Sequence, residues 1–298
     1  MIPRHAREER ITVRSGSVRV LRSLTGPSDR PPIVLIHGGG VDNAAISWHF
    51  AFADLAQHRQ VIAFDLPGFG ETRDIEPVGG PGDMADFTAE VLDALGVSFA
   101  VIGGVSMGGD VALNVGLRHG ERVEALVLVA PGGLAPIIRG RATHFASWLA
   151  AQLPDPVLFG LSRMAMTQGE RMLRGIIHES NSLPDAVVDA FLQEQRRAGA
   201  NVGYARYNQA TLGPTRMRND LRERVGELVM PALFVHGAED PMVDPRDSQV
   251  ASSLMPRARM HLVPRCGHWA QLERPGVFAD AVQRFLTELC GPAATDTD

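Results

Sequence analysis

The sequence predicts an α/β fold: a doubly wound, mostly parallel sheet carrying an inserted helical lid. Three observations predict it. Short apolar runs at 33–36, 61–64, 99–103 and 123–129 alternate with helical segments, the pattern of strands buried on both faces. That rhythm breaks near residue 134 and returns only after about 224. The run at 99–103 empties into Gly104-Val105-Ser106-Met107-Gly108 and then a helical stretch, so strand, sharp turn and helix place a serine at an apex.

Composition narrows the function classes. The 298 residues suffice for one large α/β domain with an insertion, 45% of them are hydrophobic, and the net charge of -5 disfavours nucleic acid or an acidic membrane surface as partner. All 29 basic residues are arginine, which excludes a Schiff-base lysine, a Ser–Lys dyad and a P-loop lysine. Cys266 and Cys290 make neither a disulfide framework nor a metal-ligand spacing, so no metal and no cofactor are expected. The charged N-terminus lacks an apolar h-region and no apolar run approaches a membrane span, so a cytoplasmic protein with a small-molecule substrate is expected. A homo-oligomer is left open.

In chain order, alternation over 11–24 around Ser15-Gly16-Ser17 reads as a hairpin. Strand 33–36 ends in His37-Gly38-Gly39-Gly40, a glycine cluster whose backbone N–H groups lie bare, with His37 orienting the loop. A helix at 44–57 carries Trp48 and Phe52 to the core. Strand 61–64 leads to the turn Asp65-Leu66-Pro67-Gly68-Phe69-Gly70, and 83–95 is helical with an acidic start. Between 134 and 224 helical periodicity covers 144–153, 156–167, 170–178 and 184–197 without a buried strand. This is the expected lid, leaving 1–133 and 225–298 as the core. The core resumes with strand 231–235, helix 245–254, strand 258–263 and helix 275–289, before a small polar tail at 291–298.

A serine nucleophile needs a base, and the base needs a group that fixes its tautomer and stabilises its cation. Asp240 and His268 both follow predicted strands, as Ser106 does, and all three reach the edge where open α/β sheets place their sites. They are the expected triad. Met107, first in its helix, and Gly39 are the expected oxyanion donors. His236 reads as part of a turn, and Asp244 is the second choice of acid.

With His37-Gly38-Gly39-Gly40, Gly104-Val105-Ser106-Met107-Gly108-Gly109, His236-Gly237-Ala238-Glu239-Asp240 and Gly267-His268-Trp269-Ala270-Gln271, nearly the whole chain resembles the α/β-hydrolase fold family. The resemblance implies that Ser106 attacks, His268 shuttles protons, Asp240 supports His268, and Gly39 with Met107 holds the oxyanion. Within the family the triple glycine and Cys266-Gly267-His268-Trp269-Ala270-Gln271 look most like the meta-cleavage product hydrolases, which cut a carbon–carbon bond in vinylogous diketones. The chain departs from them at Val41-Asp42 in place of Pro-Gly, at Val105 in place of asparagine, and at 48–50, where a second asparagine is expected. The resemblance also implies a lid arginine that grips a carboxylate, here Arg196 or Arg197. Gly38, Gly40, Trp148 and Trp269 complete the expected substrate-binding set. A serine hydrolase of carbon–carbon or ester bonds is expected, with carboxylesterase, enol-lactonase and a non-catalytic receptor-like binder as alternatives.

Overall fold

The computed structural model describes residues 1–165, 169–179, 182–197 and 199–289. The expected tail, Cys290 and the end of the 156–167 helix lie outside them. Eight strands form one sheet in the order β1-β2-β4-β3-β5-β6-β7-β8. They are β1 (Ala6–Val13), β2 (Gly16–Ser23), β3 (Ile33–Ile36), β4 (Val61–Phe64), β5 (Ala100–Val105), β6 (Val123–Val129), β7 (Ala232–Gly237) and β8 (Ala258–Val263). β1 pairs with β2, and β2 with β4, antiparallel; every other pairing is parallel.

The hairpin begins earlier than its alternation suggested. Arg7, Glu8, Glu9 and Arg10 all pair with β2, and as an edge strand β1 keeps its charged side chains in solvent, where they discourage further strand addition. The inner strands divide the core by their two-residue period. Leu35, Val101, Val127 and Val235 point into one apolar layer, while Ile36, Ile102, Leu128 and Phe234 point into the other.

Helices cover both layers. α1 (Ala44–Ser47), α2 (Ala51–Leu55) and the final α12 (Pro275–Leu289) share the first layer, where Trp48 lies 6.1 Å from Phe278. α3 (Pro81–Ala94) and α4 (Met107–Arg118) cover the second, and α10 (Pro245–Leu254) adds Ala251 to it. The expected helix over 44–57 is two short ones: Asn43 caps the first through Ala45 and Ile46, and Trp48, fully buried, ends it.

Between β6 and β7 the described chain is helical: α5 (Arg141–Ala151), α6 (Asp155–Ala165), α7 (Gly169–Ile176), α8 (Asp185–Arg196) and α9 (Val202–Thr211). The last was not anticipated. A short α11 (Ala270–Glu273) follows β8. Because β3 and β5 to β8 run parallel, the residues that follow them gather at one edge of the sheet. Among the described residues no helix is long and apolar enough to cross a membrane.

Candidate active site

Ser106 occupies the turn from β5 into α4 with φ 53° and ψ -117°, a left-handed backbone that a non-glycine residue holds only when its surroundings impose it, at a cost of about 1–3 kcal/mol. The surroundings are specific. The Ser106 N–H donates to the Val129 carbonyl at 2.9 Å, and the Ser106 carbonyl accepts from Gly132 at 2.8 Å. A Cβ on Gly104 would lie 2.7 Å from the Gly109 nitrogen, and one on Gly108 would lie 2.8 Å from the Ile36 carbonyl carbon. The elbow therefore closes only with glycine at both flanks. As the first residue of α4, Met107 has an N–H without an intrahelical acceptor.

The expected base and acid are bonded to each other. His268 Nδ1 lies 2.7 Å from Asp240 Oδ2, and both side chains are buried. Asp240 Oδ1 accepts the N–H groups of Met242 at 2.7 Å and Val243 at 3.1 Å. Burial would raise the Asp240 pKa, but hydrogen bonds from His236 and His268 outweigh it and hold the carboxyl well below the usual range. An ionised Asp240 fixes the proton of His268 on Nδ1 and leaves Nε2 as the basic nitrogen.

The histidine loop is clamped from several sides. His268 donates its own N–H to the Ile176 carbonyl at 2.8 Å. Glu273, buried, accepts from Gly267 at 3.1 Å, from Trp269 at 3.2 Å and from His178 at 2.8 Å. Cys266 is a buried thiol pushed up to about 12 by burial and by nearby carboxylates, Glu273 first, so it is no competing nucleophile.

Ser106, Met107, Asp240 and His268 line one cavity of about 640 Å³, with apolar wall from residues such as Ile138 and Met217. Gly39 is not on that wall. The Tyr204 ring, which does line the cavity, packs directly on it: a Cβ there would lie 2.5 Å from Tyr204 Cδ2. The Gly39 loop is fastened from below, with the Gly38 N–H donating to Asp42 at 2.9 Å and Ser47 bonded to the same carboxylate. His37 Nε2 accepts from the Leu66 N–H at 3.0 Å, the orienting role its position suggested.

The remaining expected substrate contacts fall elsewhere. The N–H of Gly38 is already used by Asp42, and Gly40 serves the turn, with φ 76° and open space beside it. Trp148 lies 5.4 Å from Phe145 on α5, away from the cavity lining. Trp269 is core, 6.1 Å from Phe191. Arg196 is exposed, and Arg197 pairs with Glu194 at 2.9 Å and with Glu71 beside a separate small cavity. The arginine that lines the large cavity is Arg139.

Sequence reasoning missed a buried polar group that reaches the same cavity wall through Tyr207 and Asn219. Tyr207 donates to Asp110 Oδ2 at 2.7 Å, Asn219 Nδ2 donates to the same oxygen at 2.5 Å, and Asn114 holds Oδ1 at 3.1 Å. Burial pushes the Asp110 carboxyl up to about 6 against those hydrogen bonds. Tyr204 stacks on Tyr207 with centroids 5.9 Å apart. An aspartate inside the apolar helix after the serine was the available signal. Among the described residues no group of three or more His, Cys, Asp or Glu side chains could hold a metal ion.

A strained serine elbow, a buried Asp–His pair and one shared cavity, on a mostly parallel sheet, are features of a hydrolase. Residues 31–275 match the model of the alpha/beta hydrolase fold, and the chain belongs to that family. Its relatives include meta-cleavage product hydrolases. It is 29% identical over 265 residues to the 2-hydroxymuconate semialdehyde hydrolase of Pseudomonas sp. (strain CF600), covering 86% of this chain and 87% of that one. The solved 2-hydroxy-6-oxo-6-phenylhexa-2,4-dienoate hydrolase of Rhodococcus sp. strain RHA1 superposes with a TM-score of 0.75 at 23% identity, over 95% of this chain and 99% of that one. A thermophilic esterase of Thermogutta terrifontis superposes with a TM-score of 0.74 at 22% identity, over 95% and 99%.

Proposed function

We propose that the protein is a serine hydrolase that cleaves a small to medium, largely apolar carbonyl substrate, with carbon–carbon hydrolysis of a meta-cleavage-type product as the first reading. The observation that carries it is Ser106, strained at its elbow, sharing a cavity with His268 while His268 Nδ1 is bonded to buried Asp240. The relatives support the choice of bond. His268 Nε2 takes the Ser106 proton as Oγ attacks the carbonyl carbon, and the resulting alkoxide receives the N–H group of Met107, with Gly39, beneath the Tyr204 ring, as the second donor. Collapse expels the leaving group with a proton from His268, and water activated by His268 then releases the acyl group. For a vinylogous substrate the enol must first ketonise, with His268 as proton carrier. Arg139 is the cation in reach of a substrate carboxylate. Residues 134–224 act as the lid over a core formed by 1–133 and 225–298.

Ester hydrolysis is the second reading, favoured by Val105 before the serine and by Trp48 to Phe50, where the meta-cleavage enzymes carry asparagines. Turnover of a p-nitrophenyl ester series beside a meta-cleavage dienoate separates the two. Dienoate cleavage much faster than any ester supports the first, and short-ester activity with the dienoate untouched supports the second. Retained hydrolysis in Ser106→Ala overturns both.

A further inference from the structure

The Asp240 carboxylate serves two imidazoles, and only one of them has a part in the reaction. His236, at the end of β7 and fully buried, brings Nε2 to 3.0 Å from Asp240 Oδ2, the same oxygen that His268 Nδ1 reaches at 2.7 Å. Its Nε2 also lies 3.2 Å from the Val243 carbonyl, and its Nδ1 lies 2.8 Å from Ser248 Oγ. Two acceptors at Nε2 require a proton there, so His236 donates to Asp240 through Nε2 while its Nδ1 is bonded to the Ser248 hydroxyl. Every polar atom of the ring is then satisfied, and the Asp240 and Val243 oxygens fix the proton on Nε2, while the hydroxyl of Ser248, buried on α10, partners Nδ1.

We propose that His236 is a positioning residue for His268. Resting on the serine-hydrolase reading, it pins Asp240 Oδ2 in line with His268 Nδ1 and draws charge from that oxygen, which sets how strongly Asp240 stabilises the His268 imidazolium. Asp240 and His268 meet it at one carboxylate oxygen, and Asp247 on α10 interacts with it electrostatically, with Asp244, Asp220 and Arg222 acting on Asp247. Without the His236 donor the carboxylate charge falls on His268 alone, so His268 becomes more basic and less well aimed.

The test compares His236→Leu, which removes the donor, with His236→Gln, which can restore an N–H near the Nε2 position. In the leucine variant kcat is expected to fall about tenfold with KM within about twofold, and the acid limb of kcat/KM against pH to move up by about one unit, the equivalent of one charge-assisted hydrogen bond. Glutamine should recover most of both. Ser248→Ala, which leaves Nδ1 without its partner and so loosens the ring, should move the limb in the same direction by less. An unmoved acid limb in both the leucine and alanine variants, with any activity loss tracking lost folded protein, overturns the proposal. Ser106 labelling by a p-nitrophenyl phosphonate is read in parallel: absence of labelling in the parent protein refutes the serine-hydrolase reading itself, whatever the His236 variants do.

Discussion

Replacing Asp240 with asparagine forces a choice that the geometry makes expensive. Asp240 Oδ2 accepts from His268 at 2.7 Å and His236 at 3.0 Å, and Oδ1 accepts from the Met242 and Val243 N–H groups at 2.7 and 3.1 Å. Asparagine has one acceptor oxygen and one NH2. With the NH2 on the Oδ1 side it confronts two backbone donors that cannot change, losing two hydrogen bonds at about 1–3 kcal/mol each. With the NH2 on the Oδ2 side, His236 loses that acceptor but keeps the Val243 carbonyl, and His268 relieves its own conflict by moving its proton to Nε2. That tautomer no longer accepts the Ser106 proton. The second arrangement is the cheaper one for folding and the worse one for catalysis. Asp240→Asn should therefore fold normally and lose about 10³–10⁴-fold in kcat with KM within a few-fold, the size of effect seen when a triad histidine is held in the wrong tautomer. Steady-state hydrolysis of a p-nitrophenyl ester, with circular dichroism as the folding control, measures it. Asp244 is the internal comparison: it is exposed and caps α10 through the Arg246 N–H at 2.9 Å, a role asparagine fills, so Asp244→Asn should stay within about twofold. Asp240→Asn within tenfold of the parent, or Asp244→Asn equally impaired, would refute the assignment.

Two other perturbations read the rest of the site. Gly39→Ala drives a methyl into the Tyr204 ring, 2.5 Å from Cδ2, and should cut kcat about 100-fold as the proposed second oxyanion donor is displaced, with Tyr204→Ala in the same chain recovering part of it if the effect is steric. Asp110 titrates near 6 in the folded chain against 3.8 as its ordinary value, so its protonated form is the one folding favours. Its contribution is fully present below pH 3.8 and lost as pH rises through 6, about 3 kcal/mol in all. Asp110→Asn removes that loss, so the stability of the variant relative to the parent should rise between pH 4 and 7 by that order in urea unfolding. A pH-independent difference would show that Asp110 is not the group responsible.

Much of this was readable beforehand because the informative features are local. Buried parallel strands announce themselves as apolar runs, and Ser106 and Asp240 lie in the turns after two of them, while His268 lies in the loop after the half-exposed edge strand β8. α9 gave no comparable signal. Its buried residues, Gly203, Ala205, Tyr207 and Thr211, are small or polar and draw no apolar stripe, because this helix packs Tyr207 onto a carboxylate. In the group of Asp110, Tyr207 and Asn219 the aspartate is remote in sequence from the other two, so no spacing betrays it. Arginine is the chain's one long cationic residue, so its abundance hides a functional copy. Position in space, rather than sequence, separates Arg139 at the cavity from Arg197, which is engaged by Glu194 and Glu71. Trp269 follows the histidine in sequence yet turns into the core, since α11 begins immediately after it.

The bond from the His268 N–H to the Ile176 carbonyl bears on how such a chain can be re-engineered. Helical insertions of this kind invite exchange between relatives as interchangeable cassettes that alter which molecules fit. Here the cassette is not separable at its inner seam. Gly267 admits no side chain because a Cβ would lie 2.6 Å from the Ile176 oxygen and 2.8 Å from the His178 nitrogen, and Glu273 receives the His178 N–H. A graft that replaces 176–178 with a foreign backbone path withdraws the support of the His268 loop along with the old specificity. Chimeras that keep these three residues and vary the segments on either side preserve the seam while leaving the remaining wall free to diverge.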